Sequence, residues 1–158
     1  MNTITAHLLD INSLISSPEL WQKGSTETVD REGHTKRCLC GAIYEAVGKQ
    51  SEYFGEVRGM ITAQVKKEVD IDVRLDWYAK EHAFTSIDVG ATIEEDYINA
   101  FNDYPTTIHK DILAIIHKTI ASNAYCNGCE GLLTGGISVI EDQVLCNECA
   151  KVETGIPF

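Results

Sequence analysis

The 158-residue sequence carries 24 acidic and 13 basic side chains, a formal charge of −11, and 44% hydrophobic residues. That hydrophobic share supports a packed core and excludes general disorder. The negative field disfavours duplex DNA and favours basic partners, although acidity also serves solubility alone.

The N-terminal MNTITAHLLDINSLISS has no basic start and no unbroken apolar run, so no secretory signal is expected. Nowhere do the ~18 consecutive apolar residues of a membrane span occur, and a soluble cytoplasmic protein is expected. In that reducing setting, paired cysteines read as metal ligands rather than disulfides. The charge is uneven: residues 68–103 hold ten acids against Arg74 and Lys80, whereas residues 1–67 balance at eight of each sign.

In chain order, Ile4, Leu8, Ile11 and Ile15 form one stripe on a first helix. Ser17-Pro18 predicts a short helical turn, with Ser17 as N-cap and Pro18 at the first helical position, closed by Gly24. Residues 25–35 are polar, with a turn at Asp30-Arg31-Glu32-Gly33. Cys38 to Val47 reads as a buried helix, and Tyr53, Val57, Met60, Ile61 and Gln64 make the face of another.

From Asp70 to Val73 the pattern alternates, which predicts a strand or hairpin insertion, and residues 77–90 are ambiguous. Thr92-Ile93-Glu94-Glu95 is a capping box opening an acidic helix that runs to about Asn102 and stops at Tyr104-Pro105. Thr106 or Thr107 caps the last helix, on which Ile108, Ile112, Ile115, Ile116 and Thr119 share a face. The expected architecture is mainly α (α+β): a mostly helical domain over residues 1–123 and an appended cysteine unit over 124–158.

That unit holds two CxxC pairs, Cys126/Cys129 and Cys146/Cys149, separated by sixteen residues. Two such knuckles present four thiolates and complete a tetrahedron, the chemistry of structural Zn2+. Leu132-Leu133 and Ile137 to Leu145 read as two short strands bending at Gly135-Gly136. The stretch resembles zinc-ribbon and treble-clef modules, and LCNEC is similar to the second knuckle of single-finger DNA-binding modules. Four cysteines leave no open position for catalysis, and neither pair precedes a helix in a βαβ setting as redox pairs do. Five acids surround the unit's one basic residue, Lys151, which disfavours nucleic-acid binding through it.

Four short motifs follow in order: Trp21-Gln22-Lys23-Gly24, Asp30-Arg31-Glu32-Gly33, Arg37-Cys38-Leu39-Cys40-Gly41-Ala42 and Phe101-Asn102-Asp103. They resemble a family of small bacterial and phage domains of unknown function, whose pattern combines W-x-x-G, D-x-x-G, R-x-C-x-x-G-A and W-N-D. The resemblance covers about residues 5–121, with 70–90 as an insertion. The chain departs from it at Phe101, where tryptophan is usual. It implies a fold and a candidate surface, and no activity.

Cys38 is either a small buried hydrophobe or a nucleophile. Its bases would be His34 or His109, with Asp103 as orienter. His109 lies in a helix's first turn, where the dipole favours the neutral form, but it also suits a core edge. Arg37 would depress the thiol pKa, or pair with Asp30 or Asp103 and tie loops together. His34, Cys38 and Cys40 form a weak second metal set.

The leading expectation is therefore a non-enzymatic, zinc-binding interaction protein. Its binding residues would be Trp21, Asp30, Arg37, Asn102, Asp103, Glu94, Glu95 and Asp96, and its partner a basic protein surface. A phage host-takeover or anti-defence role fits by analogy. A Cys38 hydrolase or transferase is the rival, and nucleic-acid binding through the ribbon comes third.

Overall fold

The computed structural model describes the backbone of residues 3–82, 93–123, 137–140 and 143–146, with side chains described over 3–82 and 96–123. The chain opens with helix α1 (Thr3–Leu14), a 3-10 turn (Pro18–Leu20) and strands β1 (Glu27–Val29) and β2 (Thr35–Arg37). Helices α2 (Leu39–Val47), α3 (Phe54–Glu68), α4 (Ile71–Glu81), α5 (Ile93–Asp103) and α6 (His109–Asn123) follow, then β3 (Ile137–Ile140) and β4 (Gln143–Cys146). The protein is mostly helical, as expected. Among the described residues no helix is long and apolar enough to cross a membrane.

The apolar stripe of α1 faces inward: Leu8 and Ile11, with Ile15 just past the helix end, are fully buried. α1 packs on α2 and α6, α3 lies against α5 and α6, and α4 lies against α5. Ile43, Val57, Ile61, Ile98, Phe101, Ile112 and Ile116 meet in one core. Each such side chain contributes about 1.5–3 kcal/mol by leaving water. The polar stretch after Gly24 is a hairpin, β1 and β2 pairing antiparallel from Glu27↔Arg37 to Val29↔Thr35. Its turn holds Gly33 at φ +89°, the left-handed region that glycine enters without strain.

Residues 70–81 correct the expected strand. They form α4, with the Asp70 carboxylate accepting from Val73 N–H at 3.4 Å as N-cap. The alternation that suggested a strand also places Ile71, Leu75 and Tyr78 on one helical face, and tertiary packing selects the helix: Ile71 is buried and Leu75 packs on the core. Residues 83–90 and the expected capping residue Thr92 lie outside the described residues.

The start of α6 is a second correction. Thr107 is buried, but its hydroxyl donates to Phe101 O at 2.8 Å and does not cap the helix. Asp111 reaches back instead, accepting from Ile108 N–H at 3.0 Å. Ile108 therefore precedes the helix and is 56% exposed, while Ile112, Ile115, Ile116 and Thr119 form the buried face.

In the cysteine unit, β3 and β4 pair antiparallel, Ile137 opposite Cys146 and Ile140 opposite Gln143. The stretch Ile137 to Leu145, expected as one strand, thus holds the whole of β3 and most of β4. Leu132, Leu133, Gly135 and Gly136 lie outside the described residues.

Candidate functional site

Three segments distant in sequence meet where the 21–24 loop, the start of α2 and the end of α5 come together. Asn102, with no solvent exposure, stands at the junction. Its Oδ1 accepts from Trp21 Nε1–H at 2.9 Å and from Leu39 N–H at 3.1 Å. Its Nδ2 donates to Gln22 O at 3.2 Å and to Asp103 Oδ1 at 2.7 Å. Both donors and both acceptor positions of the amide are thereby used. Asp103 Oδ1 also accepts from Gly24 N–H at 2.9 Å.

Lys23 adds a further tie, donating to Tyr104 O at 2.6 Å and Pro105 O at 3.2 Å. An ammonium at the C-terminal end of α5 complements the helix dipole. Burial pulls the Lys23 pKa down, and Asp103 partly opposes this.

Cys38 is the N-cap of α2: its Sγ accepts from Gly41 N–H at 3.3 Å, and the residue is 5% exposed. Burial raises its thiol pKa; the Gly41 N–H works against this, and the charge of Asp103 adds to it. Arg37 does not depress it as expected, nor does it bond to Asp30 or Asp103. Its guanidinium pairs with Glu27 at 2.9 Å across the β1–β2 hairpin.

The two histidines lie elsewhere. His34 Nδ1 is 3.3 Å from Asp30 Oδ2 and 3.7 Å from Glu32 Oε2. His109 sits at the edge of the core: its Nε2–H donates to Ile15 O at 2.7 Å, and its ring tilts against Trp21 at 6.0 Å. Because a carbonyl only accepts, Nε2 carries the proton. No hydrogen bond joins Cys38 to a histidine among the described residues.

Nor do His34, Cys38 and Cys40 gather as metal ligands. Among the described residues the potential ligand atoms that converge, within 4.8 Å of one another, belong to Asp30, Glu32 and His34. Asp30 is spent on its own turn, Oδ1 accepting from Glu32 N–H and His34 N–H at 2.9 Å each. The His34 N–H is the main cause of its lowered carboxyl pKa.

Of the residues expected to bind, the structure brings Trp21, Asn102 and Asp103 together and leaves Asp30 and Arg37 on the hairpin. Positions 94–96 lie in the first turns of α5, with Asp96 half-buried and the Glu94 and Glu95 side chains outside the described residues. Cys126, Cys129 and Cys149 are outside them as well; Cys146 ends β4.

Tyr78, not anticipated, lies close enough to the cluster to feel the charge of Asp103. Burial pushes its phenol up to about 12, and the nearby charges of Asp103, Asp96, Cys40 and Cys38 add to this. Its signal was the Ile71–Leu75–Tyr78 spacing, legible once 71–81 is read as helix.

Chemically the cluster is a clasp. The Asn102 amide is fully satisfied by its neighbours, and burial holds the Cys38 thiol in the protonated form.

No curated protein and no solved structure matches the chain. The family model for the family of unknown function DUF6197 matches residues 1–122, so the chain belongs to that family.

Proposed function

We propose that the chain is a non-enzymatic interaction protein. Its helical body, residues 1–123, presents an acidic surface to a basic protein partner, and its unit 124–158 is stapled by one structural Zn2+ on Cys126, Cys129, Cys146 and Cys149. The observation that carries this reading is Asn102: all four of its hydrogen-bonding positions point inward. With Cys38 capping a helix, the same cluster offers no nucleophile–base pair among the described residues.

The contact surface is read from α4. Asp72 and Asp76 are exposed four residues apart, and Val73 between them is 53% exposed. An apolar spot inside an acidic rim suits a basic partner with one apolar anchor, the field setting association rate and specificity. Masking a basic nucleic-acid-binding surface, as a host-takeover or anti-defence factor would, is a role this charge fits.

The zinc reading draws support from strand register. Pairing Ile137 with Cys146 sets the first residue of β3 opposite the first cysteine of the second knuckle. Freshly reduced protein should contain about one zinc per chain by elemental analysis. Metal-free protein with a folded β3–β4 hairpin would remove the staple.

For the partner, full-length chain should capture basic proteins that are released by salt, and Asp72→Lys with Asp76→Lys should lose them. Capture unchanged by that double reversal would overturn the acidic contact.

A further inference from the structure

A cleft of about 200 Å³ opens between the end of α3, α4, the end of α5 and α6, and four charged residues line it: Glu68, Arg74, Asp111 and Lys118. Lys118 Nζ pairs directly with Glu68, whose other oxygen accepts from Gln64 at 2.9 Å. These two charges satisfy each other. Arg74 and Asp111 remain, and neither forms an ion pair among the described residues.

Each is pinned where it stands. Arg74 Nη1 donates to Thr107 Oγ1 at 2.6 Å and to Phe101 O at 3.5 Å. The guanidinium lies 5.2 Å from the Phe101 ring and 4.6 Å from the Tyr104 ring. Its Nη2 and Nε hydrogens have no acceptor among the described residues. Asp111 spends Oδ2 on Ile108 N–H, which leaves Oδ1. Burial pulls the Arg74 pKa down, and the charges of Tyr104 and Asp111 oppose it. A partly desolvated guanidinium with unused donors gains most from a carboxylate, whose two oxygens match its fork.

We propose that this cleft binds a small zwitterion, a free α-amino acid or a compound with the same two end groups, its carboxylate on Arg74 and its ammonium on Asp111. Opposite charges fixed in one cleft, and kept from each other by separate hydrogen bonds, form a preorganised dipolar site. The volume is that of roughly six or seven waters at ~30 Å³ each, which admits an amino acid and excludes a nucleotide. Phe101 and Tyr104 hold the guanidinium plane, so little ordering cost remains on binding.

The test is calorimetric titration of the full chain with each of the twenty standard L-amino acids, then with the N-acetyl and methyl-ester derivatives of any that bind. At least one amino acid binds in the millimolar range or tighter, and blocking either end group weakens it by about tenfold or more. Arg74→Gln removes binding. Ala114→Phe blocks the cleft from the α6 wall without touching any of these hydrogen bonds, so it decides the matter if Arg74→Gln fails to fold by circular dichroism. The proposal is overturned if no amino acid binds below about 10 mM. It is equally overturned if acetate or inorganic phosphate binds as well as the zwitterion, or if binding survives both substitutions.

Discussion

Trp21 and Asn102, 81 positions apart, are joined by a 2.9 Å hydrogen bond, and the amide oxygen that receives the indole N–H also receives Leu39 N–H. One side chain thus ties the N-terminal loop and the start of α2 to the end of α5. Replacing it strands buried groups, because water cannot reach a residue with no exposure.

Asn102→Ala should therefore destabilise the protein by about 2–4 kcal/mol, since it orphans the Leu39 and Trp21 N–H groups and the Gln22 carbonyl together. Trp21→Phe should cost less in hydrogen bonding, about 1 kcal/mol, because Leu39 still satisfies the amide oxygen. Urea unfolding followed by circular dichroism gives both values. Equal losses for the two variants would mean that Asn102 is not the hub.

Two glycines make opposite predictions. A Cβ at Gly41 would lie 2.0 Å from Thr26 O and 2.9 Å from Thr26 C, both backbone atoms that cannot swing aside. Gly41→Ala should push α2 off the 21–26 loop and cost at least about 3 kcal/mol. Gly59, inside α3, has nothing within 4 Å of its Cβ direction. Gly59→Ala should stabilise by about 0.5–1 kcal/mol, the helix-interior penalty of glycine removed. Thermal melts that ranked the two variants the other way would contradict the packing of α2.

Much of the body was legible because its signals are local. The α1 stripe, the Cys38–Val47 run and the Asp30–Gly33 turn depend on spacing and turn chemistry, and all three appear where expected. What misled was ambiguity of period: Asp70 to Val73 alternates, yet it also carries a capping aspartate and an i, i+4 apolar pair. Thr107 misled differently. A threonine before a helix is ordinarily its cap, but Arg74, arriving from 33 positions away, donates to that hydroxyl, which itself donates to Phe101 O. The partners of Arg37 were equally hidden. Glu27 faces it only because β1 and β2 pair, and residues 25–35 carry turn residues rather than a strand pattern. The clasp is half visible: the sequence motifs contain Trp21, Asn102 and Asp103, but not the geometry that makes them partners.

Alkaline pH should weaken the fold in two stages. The thiol of Cys38 and the phenol of Tyr78 both have raised folded pKa values, from ordinary values of 9.0 and 10.0, the second to about 12. As pH rises the unfolded chain releases these protons first, so it binds fewer than the folded chain and gains in relative stability. The stabilisation is whole below about pH 9 and is lost as pH climbs through the folded values. Cys38→Ser should blunt the earlier part of the loss and Tyr78→Phe the later part, in melting temperatures recorded from pH 8 to about 11. A flat profile in the unsubstituted protein would show that neither group titrates differently on folding.

The contrast between binder and enzyme rests on two sets of substitutions. Reversing Glu94, Glu95 and Asp96 to lysine changes the charge of the acidic segment by six, in the first turns of a helix that begins at Ile93. If that segment steers a basic partner, capture should fall chiefly through the association rate, and more so at low salt. The same residues complement the helix dipole, so a stability loss of about 0.3–1 kcal/mol for each must be measured alongside. Cys38→Ala removes the cap on Gly41 N–H and a small buried volume, a loss of about 1–2 kcal/mol. It should leave capture nearly unchanged when measured well below the melting temperature. Iodoacetamide should label Cys38 at neutral pH only as fast as the protein unfolds, because burial keeps the thiol protonated. Rapid labelling of the folded chain, together with a folded Cys38→Ala variant that captures its partner and yet is inactive in the cell, would return the argument to a thiol-based enzyme.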